Sequence, residues 1–326
     1  MHIHSILQLQ RDYRTLLASC AFLLAGPLPS GARTFQTGIP GSHSILGRWD
    51  ITVHSPGGGF PSWLEVEKSG NITLVGRFVG AGGSARPVSE VFFDGKKMHF
   101  AIPPQWETGK YLSVEGMLQG DSLTGKMVTS EGKTYGWTGV RAPSLHRTKP
   151  PVWGRPVRLF SGTSLKGWHA QGKNQWIAEG GILRSPASGS NLVTEQTFRD
   201  FKLHIEFRYP AGSNSGVYLR GRYEIQIVDN SEQEPVTNQL ASIYGFIAPS
   251  ALEGKKPGEW QTYEVTLVGR MVTLVFNGKT VICNQEIPGI TGGAIDSREG
   301  EPGPILLQGD HGPIDFRNII LTPAKD

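Results

Sequence analysis

Disulfides play no part in the stability of this chain. Its 326 residues hold two cysteines, and Cys20 falls in a stretch that reads as a removable leader, which leaves Cys283 without an internal partner. Helix-period apolar runs are missing outside that leader, which excludes bundles and alternating α/β folds. No further segment is long and apolar enough to span a bilayer as a helix. Lys/Arg blocks are absent too. The net charge of +4 is spread along the chain, so neither nucleic acid nor an anionic membrane is an expected partner. H-E-x-x-H, C-x-x-C and EF-hand patterns do not occur, and the dispersed histidines define no metal site. Residues 80–85 match G-x-G-x-x-A, yet Arg86-Pro87 follows where a dinucleotide fold needs a helix. Gly212-Ser213-Asn214-Ser215-Gly216 has the outline of a nucleophile elbow, but Asn stands where the serine would be.

What is present is turn chemistry. The 43 Gly and 22 Pro, set between short β-prone runs, imply an all-β protein. Residues 1–32 read as an export signal: Arg11 and Arg14 precede an apolar run over 16–26, and Ser30-Gly31-Ala32 offers a small-residue cleavage site. The expected location is periplasmic or secreted, with the mature chain starting near Arg33. Leu17-Ala18-Ser19-Cys20 also has the form of a lipoprotein box, but the apolar run follows the cysteine instead of preceding it, which speaks against a lipid anchor.

Residues 44–141 alternate seven or eight short β runs with Gly-rich turns, including Asp94-Gly95 and Asp121-Ser122, the spacing of a small antiparallel β-barrel-like domain. Residues 142–156 contain Pro143, Pro150, Pro151 and Pro156, and form an extended linker expected to join no ladder. From 157 to 326 about a dozen strands recur, enough for two packed sheets. Asn277-Gly278 between two β runs is the strongest hairpin signal in the chain.

The richest stretch is 201–229. Phe201, Leu203, Ile205 and Phe207 alternate with His204, Glu206 and Arg208. After the turn-rich 210–215, Val217, Leu219, Tyr223, Ile225 and Ile227 interleave with Tyr218, Arg220, Arg222, Glu224 and Gln226. The pattern predicts one hairpin turning near Gly212, with an aromatic ring, cations, a carboxylate and an amide on one polar face ~7 Å apart at every second residue. That register sets Glu206 opposite Tyr218 and puts Glu224 on the order of 20 Å away, too far for the ~5 Å or ~6.5–9.5 Å carboxylate pair of ordinary glycosidases.

Several motifs then occur in a recognisable order: Leu159-Phe160-Ser161-Gly162, Ser164-Leu165-Lys166-Gly167-Trp168, Trp176 before Glu179-Gly180-Gly181-Ile182-Leu183, Asn214-Ser215-Gly216-Val217-Tyr218-Leu219-Arg220, Tyr223-Glu224-Ile225-Gln226, Gly258-Glu259-Trp260, Leu307-Gln308 and Phe316-Arg317-Asn318-Ile319. Over 157–322 the chain thereby resembles the 3-keto-disaccharide hydrolase domain family. The resemblance implies a concanavalin A-like jelly-roll sandwich and, as substrates, glycosides oxidised to a ketone at C3. The barrel-like domain is not covered; its Gly47-Arg48-Trp49 opening is similar to the start of a lipocalin-type barrel.

A 3-keto group acidifies the C2 proton, so the chemistry needs a base, donors for the developing oxyanion and an acid for the leaving oxygen. Glu224 is the candidate base and His311 the candidate acid. Arg220, Gln226, Gln308 and Arg317 are candidates to hold the ketosugar, with Glu206, Asn214 and Tyr218 as further substrate contacts. Each has a plainer alternative: a solvated strand carboxylate for Glu224, a turn-capping imidazole for His311, structural ion pairs for Glu206 and Arg317, hairpin shaping for Asn214. One of Trp153, Trp168, Trp176 and Trp260 is expected to touch ligand, the others to pack. No cofactor motif is present, and chemistry alone leaves open a divalent ion bridging Glu224 or Asp229 to the enediolate. The partner is a small carbohydrate. A non-catalytic carbohydrate-binding module and a conventional glycosidase are the competing readings.

Overall fold

A computed structural model describes residues 44–106, 108–229 and 234–325, and all regular structure among them is strand. The leader expected over 1–32 lies outside the described residues. Nine antiparallel strands come first: β1 (Gly47–Ser55), β2 (Gly58–Ser69), β3 (Thr73–Val79), β4 (Arg86–Val88), β5 (Phe92–Phe93), β6 (Lys97–Ile102), β7 (Leu112–Gln119), β8 (Ser122–Val128) and β9 (Thr134–Arg141). They form one sheet ordered β4-β3-β2-β1-β9-β8-β7-β6-β5, and β4 returns against β6. Period-two alternation drives this: in β6, Met98, Phe100 and Ile102 are buried and Lys97, His99 and Ala101 exposed. Trp49, Ile51, Phe78, Phe100 and Trp137 fill the interior. The expected seven or eight strands become nine because β4 and β5, three and two residues long, are too short to display a period.

The remaining strands are β10 (Val152–Trp153), β11 (Val157–Arg158), β12 (Trp168–Ala170), β13 (Ile177–Glu179), β14 (Ile182–Ser185), β15 (Leu192–Thr194), β16 (Phe201–Arg208), β17 (Asn214–Leu219), β18 (Tyr223–Val228), β19 (Gln261–Val268), β20 (Met271–Phe276), β21 (Lys279–Glu286), β22 (Leu306–Leu307) and β23 (Ile314–Lys325). One sheet runs β13-β14-β23-β16-β19-β20-β21, with β10 and β11 also on β23; the other runs β12-β15-β22-β17-β18. Phe201, Leu203, Ile205 and Phe207 of β16 meet Val217, Leu219, Tyr223, Ile225 and Ile227 of β17 and β18 in one core. This is a β-sandwich, as expected.

The hairpin predicted over 201–227 does not form. β16 pairs with β19 and β23, whereas β17 pairs with β18 and β22. The 210–215 segment therefore carries the chain from one sheet to the other, and Asp229 Oδ2 pins it by accepting the Gly212 N–H at 2.7 Å. The actual hairpin is β17–β18, turning at Arg220 and Gly221 with φ of 52° and 65°. The Asn277-Gly278 turn joins β20 to β21 as predicted, both residues at positive φ. The proline-rich linker also departs from expectation, because Val152 and Trp153 pair with Lys325 and Ala324 at the tail of β23.

The described residues form one compact unit. Trp63 and Val79 of the barrel belong to the sandwich's apolar cluster, and the Trp63 ring lies edge-on to Phe246 at 5.5 Å. Polar contacts join the same lobes: Arg48 Nη1 meets Glu286 at 2.5 Å, and the Thr52 and Ser297 hydroxyls lie 3.0 Å apart.

Candidate active site

The register of β17, β18 and β22 decides which side chains share the outer face of the smaller sheet. Gly216 pairs with Gln226 and Tyr218 with Glu224, while Tyr218 also pairs with Leu306. Alternation then puts Asn214, Gly216, Tyr218, Glu224, Gln226 and Gln308 on one face, opposite the core residues Val217, Tyr223 and Ile225. Val193, Tyr218 and Leu306, backed by Ile295, make a small apolar floor on that face.

Glu224 is 3% exposed. Its N–H donates to Thr291 Oγ1 at 3.0 Å, and its carbonyl accepts the Tyr244 N–H at 3.0 Å. The carboxyl lies over Gly216, where an added Cβ would come within 2.3 Å of Oε1. Burial pushes its pKa up to about 8, offset in part by the Tyr218 hydroxyl and the His311 charge, while Asp310 pushes it further up. The Tyr218 hydroxyl has one proton and two acceptors in reach, the Glu224 carboxyl and the Gly292 carbonyl at 3.0 Å. A protonated Glu224 lets that proton stay on Gly292; an ionised Glu224 draws it over.

His311 is half exposed, with Nδ1 2.5 Å from Asp310 Oδ1, and its charge acts on the Glu224 carboxyl. The bond to Asp310 raises its pKa, burial opposes this, and the charges of Asp310 and Glu224 add to the rise. Tyr244 is the other neighbour: burial, then the Glu224 charge, raises its hydroxyl pKa. Two acceptors, Asn214 Oδ1 and Gln308 Oε1, are buried without a partner in the protein. Buried unpaired acceptors cost about 1–3 kcal/mol each. Sharing a face with a carboxyl of raised pKa, they suit a hydroxyl-rich ligand.

The structure thus gathers Glu224, His311, Tyr218, Gln226, Gln308 and Asn214. It leaves out Arg220, Arg222, Glu206 and Arg317, which the sequence reading places on the polar face or at the site. The left-handed turn at Arg220 ends the alternation, so its guanidinium turns inward to Tyr223 Oη at 2.8 Å and the Gly269 carbonyl at 2.9 Å. Arg222 departs likewise, to Asp296 at 2.7 Å. Glu206 sits on β16 opposite Arg317, not Tyr218, and the core separates it from Glu224. Its carboxylate accepts Arg317 Nε at 2.6 Å and Asn318 Nδ2 at 2.7 Å; burial raises its pKa, but these two partners outweigh that and hold it below the usual range. Arg317 in turn lies 3.9 Å from the Trp260 ring centroid. Trp168 and Trp176 are core, and Trp153 packs under Lys202. Sequence reading missed Thr291, Tyr244 and Asp310. Only Asp310 carried a signal, as the neighbour of His311. Among the described residues no three His, Cys, Asp or Glu side chains come together as metal ligands.

A family model described as the 3-keto-alpha-glucoside-1,2-lyase-like domain matches residues 155–322. The chain belongs to this family. The matched span takes in both sheets, apart from β10 and the last residues of β23, and every residue of the Glu224 face, and leaves the barrel out. A curated relative from Bacteroides thetaiotaomicron, named 3-keto-disaccharide hydrolase, is 21% identical over 228 residues, covering 57% of this chain and 78% of the relative. Two crystal structures from Parabacteroides distasonis, provisionally described as glycosyl hydrolases, are also similar. One is 29% identical, with 54% of this chain and 92% of that chain covered and a TM-score of 0.44. The other is 24% identical, with 52% and 98% covered and a TM-score of 0.41.

Gly216 gives this family member a direct test. Gly216→Ala places a methyl where the Glu224 carboxyl lies, so the side chain must rotate away or the strands must part, at about 1–3 kcal/mol. The expected outcome is a modest fall in Tm with a far larger fall in turnover. Equal turnover by the variant would show that Glu224 does not need its present position.

Proposed function

We propose that this protein is an exported enzyme that cleaves 3-keto-glycosides by elimination and hydration, with Glu224 as the base and His311 as the acid. The single observation that carries the reading is the buried Glu224 carboxyl, with its pKa near 8, coupled to a half-exposed imidazole on a face with unpaired acceptors. Family membership and the name of the Bacteroides relative support the substrate class.

Glu224 takes the C2 proton, and the electron pair moves into the C3 ketone as an enediolate. The Gln226 and Gln308 amides are the donors on that face for the oxyanion, in place of the arginines read from the sequence. The enediolate collapses to form a C1–C2 double bond, the C1–O bond breaks, and His311 protonates the departing oxygen. Water then adds its hydroxyl at C1 and gives its proton to His311, while Glu224 returns its own proton to C2, so the net change is hydrolysis and both groups regain their starting states. A base with a pKa near the working pH is the efficient one for such a step, which gives the burial of Glu224 a function.

The test is incubation with a 3-keto-glucoside and its unoxidised parent, with and without chelator, in deuterium oxide. Cleavage of the ketone alone, with deuterium entering C2, is the expected result. Equal cleavage of the parent sugar would favour a conventional glycosidase, and binding without turnover a carbohydrate-binding module.

A further inference from the structure

The barrel lies outside the family match, yet one of its loops packs against the segments that surround Glu224. Residues 80–85, Gly80-Ala81-Gly82-Gly83-Ser84-Ala85, join β3 to β4. The Gly293 N–H donates to the Ala81 carbonyl at 3.1 Å. At Gly292 a Cβ would come within 2.2 Å of the Gly83 carbonyl oxygen, and at Gly245 within 2.7 Å of the Ala85 nitrogen. A Cβ at Gly293 would lie 2.5 Å from the Tyr218 hydroxyl. These contacts fall on both sides of Glu224. Gly292 and Gly293 border Tyr218, and Gly245 follows Tyr244, whose N–H caps the Glu224 carbonyl. The sandwich keeps glycine where the loop presses closest, and the glycines of the loop allow the same approach from the other side. That is the physical use of a pattern that otherwise mimics a dinucleotide motif.

The loop leads outward to a second group. A Cβ at Gly83 would come within 2.3 Å of Gln105 Oε1 and 2.5 Å of the Trp106 ring, and Gln105 Nε2 donates to Ser84 Oγ at 3.1 Å. Trp106 is 68% exposed, unlike the buried Trp49, Trp63 and Trp137 of the same domain. From Trp106 the path to Glu224 runs through Gly83, Gly292 and Tyr218. Each link is a close contact or a hydrogen bond, so the indole is tied to the Glu224 carboxyl through an unbroken chain of contacts. A pyranose presents an apolar C–H face, and an exposed indole is a fitting surface for it.

We infer that the barrel is part of the substrate site: the 80–85 loop walls the Glu224 recess, and Trp106 carries the sugar ring on the leaving-group side. The inference rests on the proposed reading that the ketosugar sits over Glu224. It makes the favoured substrates disaccharides or other glycosides with a ring-bearing leaving group, in preference to those with a small alkyl leaving group. Gln105, held by Ser84 beside the indole, is placed to bond hydroxyls of the same ring.

The experiment is calorimetric titration of Glu224→Gln, which blocks turnover, with a 3-keto-disaccharide and with methyl 3-keto-glucoside. The readout is the ratio of the two affinities, with and without Trp106→Ala. The two-ring ligand is expected to bind about tenfold tighter when Trp106 is present, and the ratio to fall to about one with Trp106→Ala, a difference of about 1.4 kcal/mol. Trp106→Phe should keep most of the ratio, and an unchanged Tm shows that neither substitution disturbs the fold. Equal affinities with Trp106 in place, or equal losses for both ligands on its removal, would overturn the inference. If the unsubstituted protein fails to cleave the ketosugar but the ratio behaves as described, the catalytic reading fails and the barrel subsite stands.

Discussion

Replacing Glu224 with Gln is expected to lower kcat on a 3-keto-glycoside by about 10²- to 10⁴-fold, the usual range for loss of a general base, with affinity changed little. Gln keeps the shape of the carboxyl, so packing over Gly216 and the bond to Tyr218 survive while proton abstraction does not. The pH dependence gives an independent check. With a pKa near 8, Glu224 is mostly protonated at neutral pH, so kcat/KM of the free enzyme should rise with pH through about 8. Stability should move the other way. The folded-state pKa lies above the unfolded carboxylate value of about 4.3, so this group's contribution is fully present below that value and is lost as pH rises through about 8. Glu224→Gln should therefore equal the parent in Tm near pH 4 and exceed it at pH 8.5. A variant that keeps its turnover, or a kcat/KM profile flat between pH 6 and 9, would remove Glu224 from the chemistry.

Period-two alternation exposed much of this design in the sequence. It separated the core set Val217, Ile225 and Ile227 from the set Tyr218, Glu224 and Gln226 on the opposite face, and that separation holds in the folded chain. It could not locate the turn. Arg220-Gly221 reverses the chain within what reads as one continuous strand, and once the alternation is broken there the two arginines turn away from the face they were assigned to. Glu206 was misplaced for a related reason: 210–215 has the composition of a hairpin turn and also of a crossing between sheets, and only the long-range pairing of β16 with β23 separates the two. Thr291 and Tyr244 reach Glu224 from distant segments with no local signal. The barrel's share in the site was invisible for the same reason, since Ala81 and Gly293 are brought together only by the packing of the two lobes.

Glu299→Gln should be the most damaging single change at the junction of the lobes, at about 3–5 kcal/mol, because removing one member of a buried ion pair leaves the other charge uncompensated. Glu299 is fully buried and accepts Arg270 Nε at 3.1 Å, Arg270 Nη2 at 2.9 Å and the Tyr223 hydroxyl at 2.6 Å. Burial pushes its pKa up, but Arg270, Asp50 and Tyr223 outweigh that and hold it below the usual range. The second carboxyl, Asp50 of β1, is 4% exposed. Burial, then the charge and hydrogen bond of Glu299, pushes its pKa far upward. With its pKa raised, Asp50 keeps its proton at neutral pH and is placed to donate toward Glu299, while the charges of Arg270 and Arg222 oppose the rise. Asp50→Asn reproduces that donor without a titrating proton. It should match the parent near pH 4, where Asp50 is protonated folded or unfolded, and be the more stable of the two at pH 8, because the raised folded pKa of Asp50 makes its contribution fade as pH rises above the unfolded value. Urea unfolding of both variants at the two pH values is the measurement. A Glu299→Gln protein as stable as the parent, or an Asp50→Asn protein as weakened as Glu299→Gln, would mean that the lobes are joined by the apolar contacts of Trp63 and Phe246 and not by this charge cluster.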